Sequence, residues 1–166
     1  MGTINIVILA TSLLLLIPVV GGPTATTAVQ GVQIELRLNK PFYTAREPVE
    51  ITLTVSNPAS AAVTFEFPTG QMFDFLVTRQ GKLIWQWSYG RAFTQAFTRL
   101  TLSPGESRVF NERWDQRDVQ GRYVPAGEYE MLAVFPTDVG LVPRAGADGP
   151  QVRFQVCGAH PSHCFA

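Results

Sequence analysis

The only two cysteines of the chain, Cys157 and Cys164, enclose its only two histidines, His160 and His163, within a run of eight residues. Thiolate and imidazole at this spacing offer a disulfide, a zinc site or a redox-active pair, and the last would need a structural context that the sequence does not show. The sulfurs can close a disulfide, the default where the compartment is oxidising. All four groups could instead take a zinc ion, but a tetrahedral Cys2His2 site is cramped in so short a run. The disulfide between Cys157 and Cys164 is therefore the expectation, with no metal ligand assigned. A bridge across so short a loop is worth only about 2–3 kcal/mol in the chain-entropy model, so it tidies a tail rather than holding a domain together. Asp115 and Asp118 are a second candidate group, for Ca2+. Calcium takes about six to eight oxygens and no dense Asp/Asn cluster surrounds these two, so hydrogen-bonded turn carboxylates are the expected role.

Catalysis finds little material. A Ser-His-Asp arrangement would have to borrow one of the two tail histidines. No glycine-rich loop follows a strand in the pattern that cradles phosphate. No residue pattern argues for paired-carboxylate chemistry. The chain is therefore read as a non-enzyme without a cofactor. Thirteen Lys and Arg balance thirteen Asp and Glu. That leaves no electrostatic footprint for phosphate and excludes a polybasic nucleic-acid binder.

The remaining candidates are groups that recognise a partner. Trp85 and Trp87 are two residues apart and point to one face if the segment is a strand. They are either core aromatics or a patch that a partner covers. The run from Ser88 to Thr98 is polar, aromatic and turn-rich, with Tyr89-Gly90-Arg91-Ala92-Phe93 at its centre. It is either an ordinary crossover with Phe93 and Phe97 tucked inward, or a loop that meets a partner. In the second case Tyr89, Arg91 and Phe93 are the candidate contact residues. Pro143-Arg144-Ala145-Gly146 is a second exposed-loop candidate.

The elements that must position these groups are strands. The chain of 166 residues allows one domain and hardly two. From Val32 onward apolar residues alternate with polar ones: Val32, Ile34, Leu36 and Leu38, then Val49, Ile51, Leu53 and Val55. Further runs are Val63 to Phe67, Phe73 to Val77, Leu83 to Trp87, Leu100 with Leu102, a strand through Phe110, Tyr129 to Phe135, and Val152 to Val156. Asn57-Pro58, Pro68-Thr69-Gly70, Gln80-Gly81, Ser103-Pro104-Gly105 and Pro125-Ala126-Gly127 punctuate them. No stretch after residue 30 sustains a helical period. The expectation is an all-β domain over 32–156, an immunoglobulin-like antiparallel β-sandwich of seven or eight strands. Its core would lack a disulfide, since the antibody-type Cys…Trp…Cys framework is absent.

Ahead of it, Ile4 to Val20 is almost wholly apolar, and no charged side chain occurs before Glu35. Its length suits a signal h-region or a short anchor. Thr26 and Ala28 are small residues at the positions a signal peptidase reads. The expectation is a signal peptide or anchor over 1–28 and a linker over Gly22 to Gln30. Membrane contact is expected only through this segment. The missing basic residue before the apolar run leaves open whether the segment is cleaved or stays as a tether.

Three segments go beyond generic strand pattern: Phe67-Pro68-Thr69-Gly70-Gln71-Met72-Phe73-Asp74-Phe75; Trp85-Gln86-Trp87-Ser88 with Phe93-Thr94-Gln95; and Trp114-Asp115-Gln116-Arg117-Asp118-Val119-Gln120-Gly121 continuing to Pro125-Ala126-Gly127-Glu128-Tyr129. In this order and spacing, over Leu36 to Phe135, the chain resembles the bacterial BsuPI-type intracellular proteinase inhibitor domains. The resemblance implies an immunoglobulin-like all-β fold and inhibition of serine proteinases. It would act by non-covalent occlusion of the proteinase active site with an exposed loop; the Ser88 to Thr98 run is the candidate, lying across the cleft with Tyr89, Arg91 and Phe93 as candidates for the primary specificity pocket. The third segment also recurs in bacterial immunoglobulin-like modules of other functions. The alternative is therefore a non-enzymatic structural or interaction module of the cell envelope. The export-like segment and the Cys/His tail over 157–166 depart from an intracellular family, and they imply a secreted or envelope partner rather than a cytoplasmic one.

Overall fold

Alternation from Val32 to Leu38 does what its period dictates. Val32, Ile34, Leu36 and Leu38 are buried, and the residues between them turn outward. The computed structural model describes residues 21–135, 149–158 and 164. Within them the chain is all-β. Its strands are β1 (Thr24–Val29), β2 (Val32–Leu38), β3 (Phe42–Tyr43), β4 (Val49–Ser56), β5 (Val63–Phe67), β6 (Asp74–Arg79), β7 (Lys82–Gln86), β8 (Thr98–Leu102), β9 (Ser107–Trp114), β10 (Gly127–Val134) and β11 (Gln151–Val156). One sheet has the order β1-β2-β4-β9, a second β3-β11-β10-β6-β7, and a two-stranded sheet pairs β5 with β8. Every pairing is antiparallel except that of β3 with β11, which runs parallel through Gln155–Phe42 and Val156–Tyr43.

The inward faces of the three sheets share one apolar core. Trp114 from β9 reaches across to Tyr129 of β10 and Phe154 of β11, each ring 6.0 Å away, and Tyr43 lies 5.9 Å beyond Phe154. Phe65 and Phe67 of β5 close one end on Phe135, at 5.0 and 5.6 Å. Each such ring contributes about 1.5–3 kcal/mol of hydrophobic stabilisation, which is why aromatics carry so small a domain.

Buried amides tie the connections to this core. Asn57 donates from Nδ2 to the carbonyls of Ala61, Leu102 and Ser103. Gln116 sits in a left-handed conformation, φ 58°, and is almost wholly buried. It accepts from the Arg46 amide at 2.7 Å and donates to the Thr44 and Glu47 carbonyls at 2.8 Å. Two amide side chains thus satisfy backbone groups that the sheets cannot reach.

Two strands lie outside the runs read from the sequence. Gly22 to Gln30, expected as a linker, contains β1, which pairs with β2 along its whole length from Thr24–Arg37 to Val29–Val32. Gln30 and Gly31, at φ 51° and 81°, make the tight turn that closes this hairpin. The same Gln-Gly pair joins β6 to β7 at Gln80 and Gly81, φ 50° and 74°. Pro23 accepts from the Leu38 amide at 3.0 Å, and a Cβ on Gly22 would collide with the Leu38 carbonyl oxygen. The fold therefore engages the chain from Gly22 onward. The second addition is β3, too short for periodicity to reveal. The described strands number eleven rather than seven or eight. Cys157, buried at the end of β11, is bridged to Cys164 with Cα atoms 5.0 Å apart, and its amide donates to the Tyr43 carbonyl at 2.7 Å. The apolar run Ile4 to Val20, Pro143 to Gly146, His160 and His163 lie outside the described residues.

Two outcomes follow. A cut after Ala28 would remove most of β1 and bare the β2 edge. A chain starting at Val29 should therefore melt lower than one starting at Gly21, by about 5 °C or more, measurable by calorimetry. Burial pushes the Tyr43 hydroxyl up to about 12. The unfolded value is about 10, so the folded chain holds this proton across that window and loses stability as pH rises from about 10 to about 12. Urea midpoints should fall across it, and Tyr43→Phe should remove that part of the fall.

Candidate functional site

Asp74 opens β6 with its carboxylate inside the protein, 2% exposed. A buried carboxylate needs donors, and the connection leaving β7 supplies them. Oδ1 accepts from the Phe75 amide at 2.9 Å and the Ser88 amide at 3.0 Å. Oδ2 accepts from the Ser88 hydroxyl and from Gln86 Nε2, both at 2.6 Å. Gln86 Nε2 also reaches the Ser88 hydroxyl at 2.9 Å. Thus one carboxylate grips the base of the loop between β7 and β8.

The loop then winds tightly. The amides of Tyr89 and Arg91 donate to the carbonyls of Gln86 and Ser88, both at 3.1 Å. Gly90, at φ 74°, permits the turn between them. Arg91 folds back with its guanidinium 4.2 Å above the Trp87 ring, and reaches Glu112 at 3.7 Å. Phe93 packs on Trp87 with centroids 5.7 Å apart. The Thr94 carbonyl accepts from the Gly70 amide at 3.0 Å, tying the far side of the loop to the connection before β6.

These contacts sort the sequence candidates. Tyr89 stands out from the loop, 66% exposed. Arg91 is exposed but committed to Trp87 and Glu112, and Phe93 is half-buried. Phe97, expected to tuck inward if the loop were only a crossover, is instead 83% exposed. Trp87 is buried between Phe73, 4.6 Å away, and Phe93. Trp85 is half-buried on Trp114 at 5.9 Å. Trp87 therefore supports the loop from below, Trp85 packs on Trp114, and the pair forms no exposed patch. The Trp87 indole N–H has no acceptor among the described residues.

The turn carboxylates are occupied. Asp118 accepts from the amides of Gln120 and Arg122 at 2.9 and 3.0 Å and pairs with the Arg122 guanidinium at 2.8 Å. The backbone bond from Arg122, aided by its charge, holds the Asp118 carboxyl below the usual carboxylate range. Asp115 does not accept a turn amide as expected; it faces Arg117 at 3.4 Å. No group of three potential metal ligands occurs among the described residues.

Sequence reasoning missed two residues of the site. Asp74 entered it only as part of a recognisable segment. Its signal was a charge between Phe73 and Phe75, where a central strand tolerates none unless donors meet it. Phe97 was read only as a ring that tucks inward, because an exposed ring and a buried one look alike in a turn-rich run.

A comparison with protein families matches residues 36–138 to the BsuPI family, described as intracellular proteinase inhibitor. The match spans well over half of the chain, and the chain belongs to this family. No match was found among curated proteins. Solved structures similar in part include a β-glucosidase from Erythrobacter marinus, at 14% identity and TM-score 0.44 over 81% of this chain and 15% of that one. Others are a Listeria innocua β-glucosidase in complex with gluconolactone, at 11% identity and TM-score 0.41 over 81% and 16%, and the Pseudomonas fluorescens alkylpurine DNA glycosylase AlkC bound to DNA containing an abasic site analog, at 12% identity and TM-score 0.42 over 82% and 31%. This chain thus spans less than a third of the length of each.

The Asp74 grip sets an expectation for stability. Asp74→Ala leaves the Ser88 amide and hydroxyl without their acceptor and should cost about 2–4 kcal/mol in urea unfolding. The Ser88 amide should also lose hydrogen-exchange protection beyond that global change. Asp74→Asn keeps the shape but turns one acceptor into a donor facing Gln86 or Ser88, and should recover only part of the loss.

Proposed function

We propose that this protein inhibits a serine proteinase by non-covalent occlusion, laying the Ser88–Thr98 loop across the active-site cleft. The domain acts as a non-enzymatic immunoglobulin-like sandwich, exported or tethered by its N-terminal apolar segment. Membership of an inhibitor family supports the activity. The single observation that carries the loop is its anchorage. Three hydrogen bonds from Gln86 and Ser88 to Asp74 hold its base while Tyr89 projects into solvent. A loop already ordered loses less entropy on binding, which is what a tight inhibitor needs.

The same geometry chooses among the pocket candidates. Arg91 would have to abandon the Trp87 ring and Glu112 to enter a proteinase pocket. Phe93 would have to leave the core. Tyr89 needs no rearrangement, and Phe97 offers a second exposed ring on the same loop. The target is therefore a proteinase with a large apolar primary pocket rather than one that selects a basic side chain. The sandwich reading is supported by sheets that share one core. It is supported also by Tyr129 near the start of β10, whose hydroxyl donates to the Pro125 carbonyl at 2.6 Å in the manner of the tyrosine corner of such domains. The Cys157–Cys164 bridge supports an oxidising compartment.

Titration against subtilisin-like, chymotrypsin-like and trypsin-like proteinases tests this reading. Stoichiometric inhibition of the first two classes is expected. Tyr89→Ala should weaken it about thirtyfold or more, as for a central aromatic anchor. Unchanged proteinase activity at micromolar inhibitor would contradict the reading and leave an envelope interaction module. Equal inhibition by Tyr89→Ala would move the contact off this residue.

A further inference from the structure

Away from that loop, a cavity of about 410 Å3 opens between β6, β7 and the connection from β9 to β10. Its walls are Ile84, Tyr123, Val124 and Pro125, with Tyr129 and Arg79 at its inner side. Its size is that of a small-ligand site. Arg79 decides what it could hold. Its Nη2 donates to the Ala126 carbonyl at 3.1 Å, and its guanidinium carbon lies 5.5 Å above the Tyr129 ring. No carboxylate lies within 4 Å of it among the described residues. Its guanidinium is half-buried and offers only donors. Gly127 sits at φ 151°, and a Cβ there would come within 2.7 Å of Arg79 Nη2.

The surroundings set the sign and number of charges. Four guanidinium groups gather at this end of the domain. Arg117 and Arg122 have Asp115 and Asp118 as partners, while Arg46 and Arg79 have no carboxylate within 4 Å among the described residues. Arg46 and Arg117 lie over Tyr123, at 4.9 and 3.9 Å from its ring centre, and steady that wall. The excess is positive, yet Asp118 also lines the cavity. A doubly charged phosphate would meet that carboxylate, whereas a single carboxylate can face Arg79 and leave an apolar group on Ile84, Val124 and Pro125.

We infer that this cavity binds a carboxylate carried on an apolar group, held by the Arg79 guanidinium. The group is supplied either by a free small acid or by a polypeptide C-terminus with an apolar last residue. An arginine guanidinium matches a carboxylate, and the apolar walls take the group that carries it. The site is separate from the Ser88–Thr98 loop and does not depend on the proteinase reading.

Two pairs of probes test it on the full chain by NMR, at neutral pH and low salt. One pair is 3-phenylpropionate and 3-phenylpropanol. The other is Ala-Ala-Phe with a free carboxylate and with a C-terminal amide. Saturable shifts of the Ile84 and Val124 amides and of the Arg79 Nε–H signal are expected with both acids. The neutral counterparts should bind about tenfold or more weakly, the cost of losing a charge-assisted bond. Tighter binding of the peptide acid would assign a chain terminus, and equal or tighter binding of the small acid a free ligand. Arg79→Gln should abolish the preference for acid over neutral probe, while inhibition through Tyr89 stays unchanged. Should Arg79→Gln unfold the domain, the comparison in the unaltered chain still decides. No saturation with either acid, or equal affinity for acid and neutral probe, would overturn the inference and leave Arg79 as a cap on the Ala126 carbonyl.

Discussion

A carboxylate inside a β domain has to be answered by donors, and Asp74 is answered by a loop. Moving a charge out of water costs several kcal/mol even after relaxation. The donors from Phe75, Gln86 and Ser88 offset that cost only when the chain after β7 turns back sharply at Ser88. The net contribution to stability is modest. The gain is in uniqueness: other conformations of the loop would strand a buried charge. Beneath it, Trp87 fills the space between Phe73 and Phe93 and gives Arg91 a ring to lie on. Tyr89 faces outward because its neighbours on either side are bound inward.

The same device recurs at the other connections, with amides in place of a charge. Asn57 and Gln116 each satisfy backbone groups that no strand can reach. Three buried polar side chains thus fix three connections, while the aromatic core around Trp114 holds the sheets together. Hydrophobic burial supplies the stability and is indifferent to loop shape; the polar anchors specify it. A protein that recognises a partner through a loop needs both.

Much of the fold was legible in the sequence. Strands with one face buried must alternate, so β2, β4, β10 and β11 could be read almost residue by residue. β1 was not, because Thr24 to Val29 is an edge strand whose pattern lacks large apolar residues. The Gln30-Gly31 turn was nonetheless the same dipeptide already read as a turn at Gln80-Gly81. β3 is too short to have a period and exists only because β11 lies beside it. At the site, the loop and Tyr89 were legible from composition and turn residues. The inward turn of Arg91 and Phe93, the outward turn of Phe97 and the grip of Asp74 on Ser88 were not. The Asp74 grip and the Arg91–Glu112 pair join separate elements, and the packing on Trp87 is a loop contact without a period, so periodicity carries no information about any of them.

The account rests on the claim that the Ser88–Thr98 loop is a preformed proteinase-facing surface. Hydrogen exchange, followed in the free domain and in its complex with a subtilisin-like proteinase, tests it most directly. The account predicts slow exchange of the Ser88 and Arg91 amides already in the free domain, and a footprint on complex formation confined to residues 88–98 and the adjoining Gly70 turn. Rapid exchange of Ser88 and Arg91 in the free domain, or a footprint on the β1–β2 edge with the loop unchanged, would contradict it.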